Sequence, residues 1–551
     1  MAIALAGALV VLVSAGGPGC SKRSAAHKHA AAPRDPGGQP SERLRAAVAR
    51  TLNPVPEAPG ADSSTGGTLR VHLEAEPPHL DPLSDSHLII QRVVMGLVYE
   101  TLLECNSSGY APGLAQSWEV SPEGDRVMLR LREGARWHDG RPVSPMDVQA
   151  TFESVLRSTS RVPVLRAMVE DMETVEILPE RGVRIKLRRP SDLTLRALCE
   201  IPILPAEPLR AGGSAITQLG RQPVGSGPFR VAAWERGKRI KLVRARPPEK
   251  SRPPFLDEIV FEIDNDISRA LLRTRRGEID VLPRLLEAHY PEQVTPATLR
   301  DSLDLYWFKP DRYSFIVPNQ KRGPLADSRM RQALSLLWDR ARFAQEFHHG
   351  TVRPIGAPTF GEVPADRFDR ALAARLLEEA GFRDTDGDGV RDVGGAPIRL
   401  SFLVPSGSRT LAAEVKSYAL DLHRAGVLLD TTTLDAGALT SRLQRGEFDL
   451  ATLTWEGAPD EDARVLFGSE GPLVLSGYQP EAWQELLDRL RVAPGLRGRA
   501  PVLQRIAERL ANERPLLFLY RHDVPALVAK RVHGLAGTGD RLDLRAVWVT
   551  P

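Results

Sequence analysis

Two segments far apart in the chain share a pattern in which a helix ends at a glycine and an apolar strand follows. The first predicted helix, at 268–275, ends at Gly277, and the second, at 439–445, ends at Gly446. Glycine commonly ends helices because it adopts the left-handed backbone conformation without steric cost. The repeat favours an α/β fold with two lobes built on similar parallel layers, although the same connection occurs in any α/β protein.

The length of the chain sets the scale of this fold. At 551 residues the chain is too long for a single hydrophobic core, and it predicts about two to four domains. An apolar fraction of 42% and a charged fraction of 26% are ordinary for a globular protein. Basic residues number 73 and acidic residues 70, so the net charge of +3 gives no electrostatic reason to expect a nucleic-acid partner.

The first 20 residues are predicted to direct export. An apolar run at 2–13 is followed by small residues and Cys20. A run of about twelve apolar residues suits the core of a signal peptide, whereas a bilayer span needs about 20. The segment resembles a bacterial lipoprotein signal, in which Cys20 becomes the lipidated N-terminus. Cleavage after Ala15, with simple secretion, is the alternative.

Residues 21–66 are predicted to form a flexible tether. They are rich in Ala, Pro, Gly, Ser and Arg and contain no aromatic residue. A short helix is expected within the tether at 41–52. Since a tether belongs between an anchor and a folded body, the chain is expected in the periplasm or cell envelope, lipid-anchored. No helix-turn-helix pattern precedes the body, which argues against a transcription regulator.

The stretch that begins at Gly109 predicts a β-hairpin followed by a helix. One strand alternates at 117–120, and a second at 126–132 keeps a period of two, so that one face is buried and the other is solvated. Ser144 is placed to cap the N-terminus of the helix, with Asp147 as its capping-box partner.

Short motifs follow one another in order through this part of the chain. They are Glu76-Pro77, Leu80-Asp81-Pro82, Tyr99-Glu100, Leu114-Ala115, Ser117-Trp118-Glu119, His138-Asp139-Gly140 and Asp147-Val148. In this combination they resemble the opening of the extracellular peptide-binding proteins of ABC importers, the dipeptide-, oligopeptide- and nickel-binding type of solute-binding family 5. The resemblance continues to Leu535, the end of a segment similar to the family's closing motif.

The resemblance implies a two-lobed periplasmic-binding-protein fold (type II, cluster C-like) of the α/β class, with an extra domain inserted in the first lobe. Lobe one would comprise 67–96, 200–266 and 494–551, the inserted domain 97–199, and lobe two 267–493. It further implies a monomer that captures a peptide or similar small solute in the interlobe cleft and delivers it to the permease subunits of an ABC importer. A signalling or accessory lipoprotein without a transport role is the alternative.

The resemblance also implies which residues bind the ligand. In the family a bound peptide lies extended, and its termini meet charged side chains. Carried over by position, the ligand-binding residues are Ser86, His87, Leu88, Trp455, Glu456, Gly457, Ala458, Asp460 and Tyr478. For Trp455, a role as a core aromatic residue is the alternative.

Ala458 departs from the family at the position that matters most for a peptide ligand. In the peptide binders an Asp three residues after the strand's Trp holds the α-ammonium of the ligand. An ammonium removed from water needs a partner carboxylate. Asp460 or Glu456 could replace the missing acid, while a merely solvated acidic turn at 459–462 is equally compatible with the sequence.

The sequence contains none of several familiar catalytic or cofactor patterns. Gly-x-Ser-x-Gly, His-Glu-x-x-His, Cys-x-x-Cys and Walker patterns are all missing. The chain is therefore predicted not to be an enzyme and to carry no cofactor. His348 and His349 are adjacent, so they cannot share one helical face as metal ligands, and they are interpreted as a solvated helix end.

Two further patterns leave alternatives open. The acid spacing that starts at Asp384, with Gly389 at position six, matches a calcium loop, but Gly395 stands where a bidentate Glu is needed. A solvated turn without metal is therefore predicted. Cys105 and Cys199 could pair in an oxidising compartment, and two unpaired thiols are equally compatible with the sequence.

Overall fold

The computed structural model of the chain describes residues 49–51, 66–85, 87–106, 109–157, 163–247, 253–286, 289–295, 299, 302–310, 312–358, 363–456, 472–478, 483–493, 495–537 and 542–550. Glu456 is described by its backbone alone. Six of the residues singled out above lie outside the described part: Ala15, Cys20, Ser86, Gly457, Ala458 and Asp460. Among the residues that are described, no helix is both long and apolar enough to cross a bilayer.

The chain up to residue 308 contributes thirteen of the described strands. They are β1 (Ala49–Thr51), β2 (Thr68–Leu73), β3 (Leu103–Asn106), β4 (Gly109–Pro112), β5 (Ala115–Val120), β6 (Arg126–Leu131), β7 (Met172–Leu178), β8 (Gly182–Leu187), β9 (Phe229–Glu235), β10 (Arg239–Arg244), β11 (Glu258–Ile263), β12 (Val281–Leu282) and β13 (Leu303–Phe308). The later described strands are β14 (Arg312–Pro318), β15 (Val352–Pro354), β16 (Asp392–Val393), β17 (Ala396–Pro397), β18 (Arg399–Pro405), β19 (Leu428–Leu434), β20 (Leu450–Glu456), β21 (Leu517–His522), β22 (Val524–Ala529), β23 (Val532–His533), β24 (Ala536–Gly537), β25 (Leu542–Asp543) and β26 (Trp548–Val549).

The described α-helices alternate with these strands. They are α1 (Leu88–Val94), α2 (Pro145–Leu156), α3 (Pro163–Val169), α4 (Asp192–Glu200), α5 (Ala206–Ala211), α6 (Gly213–Arg221), α7 (Ile267–Arg275), α8 (Ser328–Leu337), α9 (Arg340–Glu346), α10 (Arg370–Glu379), α11 (Arg409–Arg424), α12 (Ala436–Gln444), α13 (Pro472–Leu475), α14 (Gln484–Val492) and α15 (Gly495–Glu513). A single 3-10 turn, Gly323–Ala326, precedes α8.

Several local predictions are confirmed. Gly277 and Gly446 follow α7 and α12 with φ of 76° and 65°, the left-handed conformation expected at a helix end. The Asp147 carboxylate accepts a hydrogen bond from the Ser144 backbone N–H at 2.7 Å, which is the capping-box contact. The prediction of a short helix at 41–52 is wrong at its C-terminal end, because Ala49–Thr51 forms β1, which pairs in parallel with β13.

Lobe one is built on an eight-stranded sheet with the order β1-β13-β22-β12-β2-β11-β10-β9. β2 pairs in parallel with both β11 and β12, and its Leu69, Val71 and Leu73 side chains are fully buried. β22, from the far end of the chain, lies between β12 and β13 and is antiparallel to both. The core of lobe one is therefore completed only by the C-terminal part of the sequence.

Lobe two is built on a six-stranded sheet with the order β15-β21-β14-β20-β18-β19. All seven residues of β14 are buried, so this strand is covered on both faces. On one face Ile316 and Phe402 pack with α8 and α11. On the other face Phe315 and Leu453 pack with α12 and α15. The two-face burial is the layered arrangement expected of a lobe with helices on both sides of its sheet.

Two neighbouring crossings join the lobes. The chain passes from β13 into β14, and it returns from β21 into β22. The outgoing and returning strands are hydrogen-bonded in both lobes, since Phe308 pairs with Val524 and Tyr313 pairs with Arg521. We call these two segments the crossing strands.

Sheet membership corrects the predicted lobe boundaries. β12 and β13 belong to the sheet of lobe one although the range 267–493 assigned them to lobe two. β21 belongs to the sheet of lobe two although the range 494–551 assigned it to lobe one. The reason is that the consecutive strands at each crossing belong to different sheets, and the sequence alone does not show which sheet a strand joins.

The region predicted as an inserted domain has a four-stranded sheet of its own, with the order β5-β6-β8-β7. The hairpin predicted at 117–132 is formed by β5 and β6, and β6 alternates between exposed and buried residues as expected. Cys105 of β3 and Cys199 of α4 form a disulfide, with Cα atoms 5.7 Å apart. This contact resolves the open question about the two thiols and ties together both ends of the region.

Candidate ligand-binding cleft

Strand direction places the carboxyl ends of both sheets at the crossing strands. In lobe one, β22 starts just after a crossing, and β12 and β13 are antiparallel to β22, so both strands end at that crossing. β2 and β11 run parallel to β12 and therefore end at the same edge. In lobe two β20 is antiparallel to β14, which starts at a crossing, and β18 and β19 run parallel to β20. Open α/β sheets bind ligands outside the carboxyl ends of their strands. We call this pair of facing edges the cleft edge.

Two predicted residues of lobe two lie at the cleft edge. Trp455 and Glu456 are the last residues of β20, opposite Tyr313 and Arg312 respectively. The Trp455 indole is 6% exposed and packs within the core of lobe two. A contact between Trp455 and the ligand therefore stays a prediction, as do the roles of the neighbouring residues that lie outside the described part.

The predicted residues of lobe one lie at the start of α1. The Arg92 guanidinium in α1 forms an ion pair with Glu74, the residue that follows β2, at 2.6 Å, which fixes α1 beside the cleft edge. The His87 ring is exposed and accepts the Ile89 N–H at 3.3 Å as the N-cap of α1. Leu88 is half-buried. Contact of His87 and Leu88 with a solute stays a prediction.

Tyr478 is separated from the other candidates. It follows α13, and the neighbouring Ser476 carbonyl accepts a hydrogen bond from the backbone N–H of Gln320 at 2.7 Å. Gln320 lies just beyond Pro318, at the end of β14 that points away from the crossing strands. The structure therefore places the Tyr478 loop at the opposite edge of the sheet, and we leave Tyr478 out of the proposed site.

The crossing strands carry a buried histidine, His522, that sequence reasoning missed. His522 ends β21, and its Nε2 atom is 3.1 Å from the Ser314 hydroxyl. Burial lowers the pKa of His522 well below its usual value, and the positive charges of Arg312, His348 and Arg284 lower it further. These residues come from four separate places in the sequence, so no motif could have grouped them.

The interpretation of His348 as part of a solvated helix end is wrong. Its side chain is 7% exposed and its Nε2 atom lies 3.0 Å from the Glu414 carboxylate, which is itself 2% exposed. Glu414 comes from α11, and the His348 ring also lies 5.1 Å from the Tyr520 ring of β21. Contacts from these two distant elements remove His348 from solvent. His349 has a positive φ of 49° at the turn after α9.

The carboxylates of Asp384, Asp386 and Asp388 come within 4.8 Å of one another on the surface. They already accept backbone N–H groups of their own loop, including Gly387 at 2.7 Å and Val390 at 2.7 Å. The predicted absence of a metal at this turn stays a prediction.

The two-lobed α/β architecture with a cleft at paired crossing strands defines the class of solute-binding proteins. Residues 109–471 match the family of bacterial extracellular solute-binding proteins, family 5 (middle), which is more than half of the chain. The chain belongs to this family. The family consists of extracellular binding proteins, so the predictions of the family, of the fold and of a non-enzymatic protein are confirmed.

Known relatives agree with this assignment. The oligopeptide-binding protein AppA of Bacillus subtilis is 23% identical over 479 residues, which covers 83% of this chain and 86% of AppA. The solved structure of AppA in complex with a nonapeptide has a TM-score of 0.69 at 21% identity and covers 89% of this chain and 100% of AppA's.

Two further matches also cover most of the chain. The dipeptide-binding protein of Escherichia coli is 22% identical over 475 residues, which covers 79% of this chain and 86% of that protein. The solved structure of the ABC transporter substrate-binding protein CtaP of Listeria monocytogenes has a TM-score of 0.76 at 20% identity and covers 89% of this chain and 100% of that chain. At these identities the structural matches establish the fold.

Proposed function

We propose that the chain is a lipid-anchored receptor that captures a peptide or similar small solute between its lobes and delivers it to the permease subunits of an ABC importer. The observation that carries this proposal is the meeting of the carboxyl ends of both sheets at the crossing strands. A solute bound there touches both lobes, so it favours the closed arrangement over the open one by the difference in contact energy.

A peptide is the favoured solute because AppA is solved with a nonapeptide and the Escherichia coli relative is named for dipeptides. Eight residues form the proposed binding site: Ser86, His87, Leu88, Trp455, Glu456, Gly457, Ala458 and Asp460. Asp460 or Glu456 supplies the carboxylate for the α-ammonium that Ala458 cannot provide.

The anchor and the tether complete the proposal. Cys20 carries the lipid, the part of the predicted tether (21–66) that precedes β1 lets a monomeric body reach the permease, and the protein stays in the periplasm or cell envelope. Mass spectrometry of the mature N-terminus tests the anchor. A diacylglyceryl cysteine at position 20 is expected, whereas an unmodified N-terminus after Ala15 would refute lipidation.

A thermal-shift screen of the chain without its first 20 residues tests the binding function. The compounds are di- to pentapeptides, free amino acids, oligosaccharides and metal chelates. A ligand at about 100 times its dissociation constant adds about 2.7 kcal/mol of stability, which is readily measured.

The screen also separates the possible outcomes. A shift with free-amino peptides that disappears on N-acetylation supports Asp460 or Glu456 as the ammonium partner. Shifts with non-peptide solutes alone would replace the peptide by another solute class. No shift with any compound would contradict solute capture.

A further inference from the structure

Three arginines of lobe two gather around one buried carboxylate. The Asp421 side chain in α11 is 1% exposed, and its oxygens accept hydrogen bonds from Arg342 of α9 at 3.0 Å, from Arg424 of α11 at 3.2 Å and from Arg370 of α10. Arg370 and Arg424 bond the same oxygen, so their guanidinium groups lie side by side. We call Arg342, Arg370 and Arg424 the arginine cluster.

The arginine cluster carries more positive charge than its paired acids neutralise. Its three guanidinium groups form ion pairs with two carboxylates, those of Asp421 and Asp339. Asp369 at the start of α10 caps that helix by accepting the Leu372 N–H at 2.9 Å, and within the described part of the chain it forms no ion pair with the cluster. One positive charge is therefore left without a paired carboxylate among the described residues.

The guanidinium groups of the cluster remain open to solvent and are held in place from below. The side chains of Arg342, Arg370 and Arg424 are 44%, 48% and 60% exposed. The Arg342 guanidinium lies 4.8 Å from the centre of the Phe343 ring, and that of Arg370 lies 5.1 Å from the Phe368 ring, contacts that favour these positions. A guanidinium has five N–H donors, and the carboxylates use only some of them. The cluster therefore offers positioned donors to an anion from solvent.

An exposed leucine accompanies the cluster. Leu420 of α11 is 54% exposed. Lys416 and Arg424, both exposed, lie one turn before it and one turn after it, so the three side chains share one face of the helix. Basic and apolar side chains on one helix face are the combination that binds the surface of an anionic membrane.

The arginine cluster lies away from the cleft edge. α11 begins after the cleft-edge end of β18, and its last turn, with Asp421 and Arg424, comes shortly before β19. Because β19 runs parallel to β18, it begins at the edge of the sheet opposite the cleft edge. A ligand of the cluster can therefore bind without occupying the cleft.

We propose that the arginine cluster binds a phosphate group, and that this phosphate belongs to the headgroup of an anionic membrane lipid. The planar guanidinium presents paired N–H donors that match the oxygens of a phosphate. Leu420 favours a lipid over a free phosphate ion, because an apolar side chain gains burial at a membrane surface and gains none from an ion. The lipid source rests on the proposed function, in which the anchor places the body beside a membrane, whereas the phosphate chemistry does not.

Sedimentation with lipid vesicles tests the membrane contact. The protein is the chain without its first 20 residues, so that no attached lipid carries the binding. Vesicles of phosphatidylglycerol and phosphatidylcholine in equal parts should bind the protein, and vesicles of phosphatidylcholine alone should not. Arg424→Gln should weaken the binding about fivefold, which corresponds to about 1 kcal/mol. Asp421 keeps two arginine partners in this variant, so the fold is expected to be retained.

The matched control is Arg489→Gln. Arg489 is an exposed arginine of α14 in the same lobe and pairs with the exposed Glu485. The two variants lose the same charge, so an effect of net charge alone would weaken both equally. We expect Arg489→Gln to bind the vesicles as the wild type does, and equal losses in the two variants would overturn the proposal.

Inorganic phosphate separates the two sources of the phosphate group. Broadening of its ³¹P signal measures binding in solution, with sodium chloride added to equal ionic strength. The wild type and Leu420→Ser should broaden the signal equally, and Arg424→Gln should broaden it less. Leu420→Ser should nevertheless bind the anionic vesicles more weakly than the wild type. Equal broadening by the wild type and Arg424→Gln would refute the phosphate site, and phosphate binding without vesicle binding would refute the lipid source.

The thermal-shift screen distinguishes a failure of this inference from a failure of the proposed function. Solutes that stabilise the wild type should stabilise Arg424→Gln equally, because the cluster lies away from the cleft edge. Solute binding in a chain that does not bind the anionic vesicles would keep the proposed function and reject this inference. Vesicle binding that requires Arg424, in a chain that no solute stabilises, would keep the inference and reject solute capture.

Discussion

Replacement of His138 by alanine should weaken the junction between the inserted region and lobe one. The His138 ring bridges the turn that contains Gly225 and Gly227. Its Nδ1 atom accepts the Gly225 N–H at 3.2 Å, and its Nε2 atom donates to the Gly227 carbonyl at 3.0 Å. The His138 backbone N–H also donates to the Gly225 carbonyl at 2.7 Å, a bond that alanine retains.

The size of the effect follows from the two ring bonds. A hydrogen bond contributes about 0.5–1.5 kcal/mol net, and loss of the ring also leaves two partly buried backbone groups without partners. We therefore expect His138→Ala to lower the free energy of unfolding by about 2 kcal/mol at pH 7.5. The measurement is urea-induced unfolding followed by circular dichroism, with the exposed residue His423 replaced by alanine as the control.

The pH dependence gives the sharper test. Burial lowers the pKa of His138, and protonation of Nδ1 would remove its ability to accept the Gly225 N–H. A histidine with a depressed pKa in the folded state stabilises the protein above its unfolded pKa of about 6.5 and loses that contribution as the pH falls. The stability gap between wild type and His138→Ala should therefore narrow by up to about 1.4 kcal/mol between pH 7.5 and 5.5. A gap that stays constant or widens toward acid would refute the proposed ring contacts.

Three other changes have expected outcomes. Replacing Cys105 and Cys199 by serine removes a disulfide between positions 94 residues apart and should lower the free energy of unfolding by about 2–5 kcal/mol. Urea titration measures this loss, and the same variant titrated in reductant is the control. Gly225→Ala places a Cβ atom 1.8 Å from a backbone carbonyl and should lower the melting temperature by several degrees, whereas Gly437→Ala, which meets only a side-chain oxygen at 3.5 Å, should leave it unchanged or higher. The buried Arg340 guanidinium donates to backbone carbonyl groups, and Arg340→Met removes their partner, so the free energy of unfolding should fall by about 2–4 kcal/mol. An unaltered denaturation midpoint would contradict this role.

Sequence reasoning succeeded where the structural cause was local. The helix ends at Gly277 and Gly446 and the capping contact of Asp147 depend on a few neighbouring residues, so their patterns were readable. The family resemblance added the two-lobed fold, because ordered motifs over a long stretch specify a topology that periodicity alone does not.

The parts that were missed depend on contacts between distant segments. Ser314 and His522 become neighbours only where the crossing strands pair, and nothing within either segment signals the other. His348 was interpreted as solvated because its burial is imposed by Glu414 from another helix. The lobe boundaries were misplaced because strands that follow each other closely in the sequence, β13 and β14 and then β21 and β22, belong to different sheets.

The position of β22 has a consequence for the order in which the molecule is assembled. Every described strand of lobe two lies between residues 312 and 522, so that lobe has its whole sheet before the chain has fully emerged. The sheet of lobe one is incomplete until residues 524–529 are present, because they form β22, the strand between β13 and β12. Until those residues arrive, β13 and β12 have unpaired edges that can attract other chains. A protein shortened at residue 523 would keep the strands of its second lobe but hold a first lobe split in two, with newly open edges as sites of aggregation.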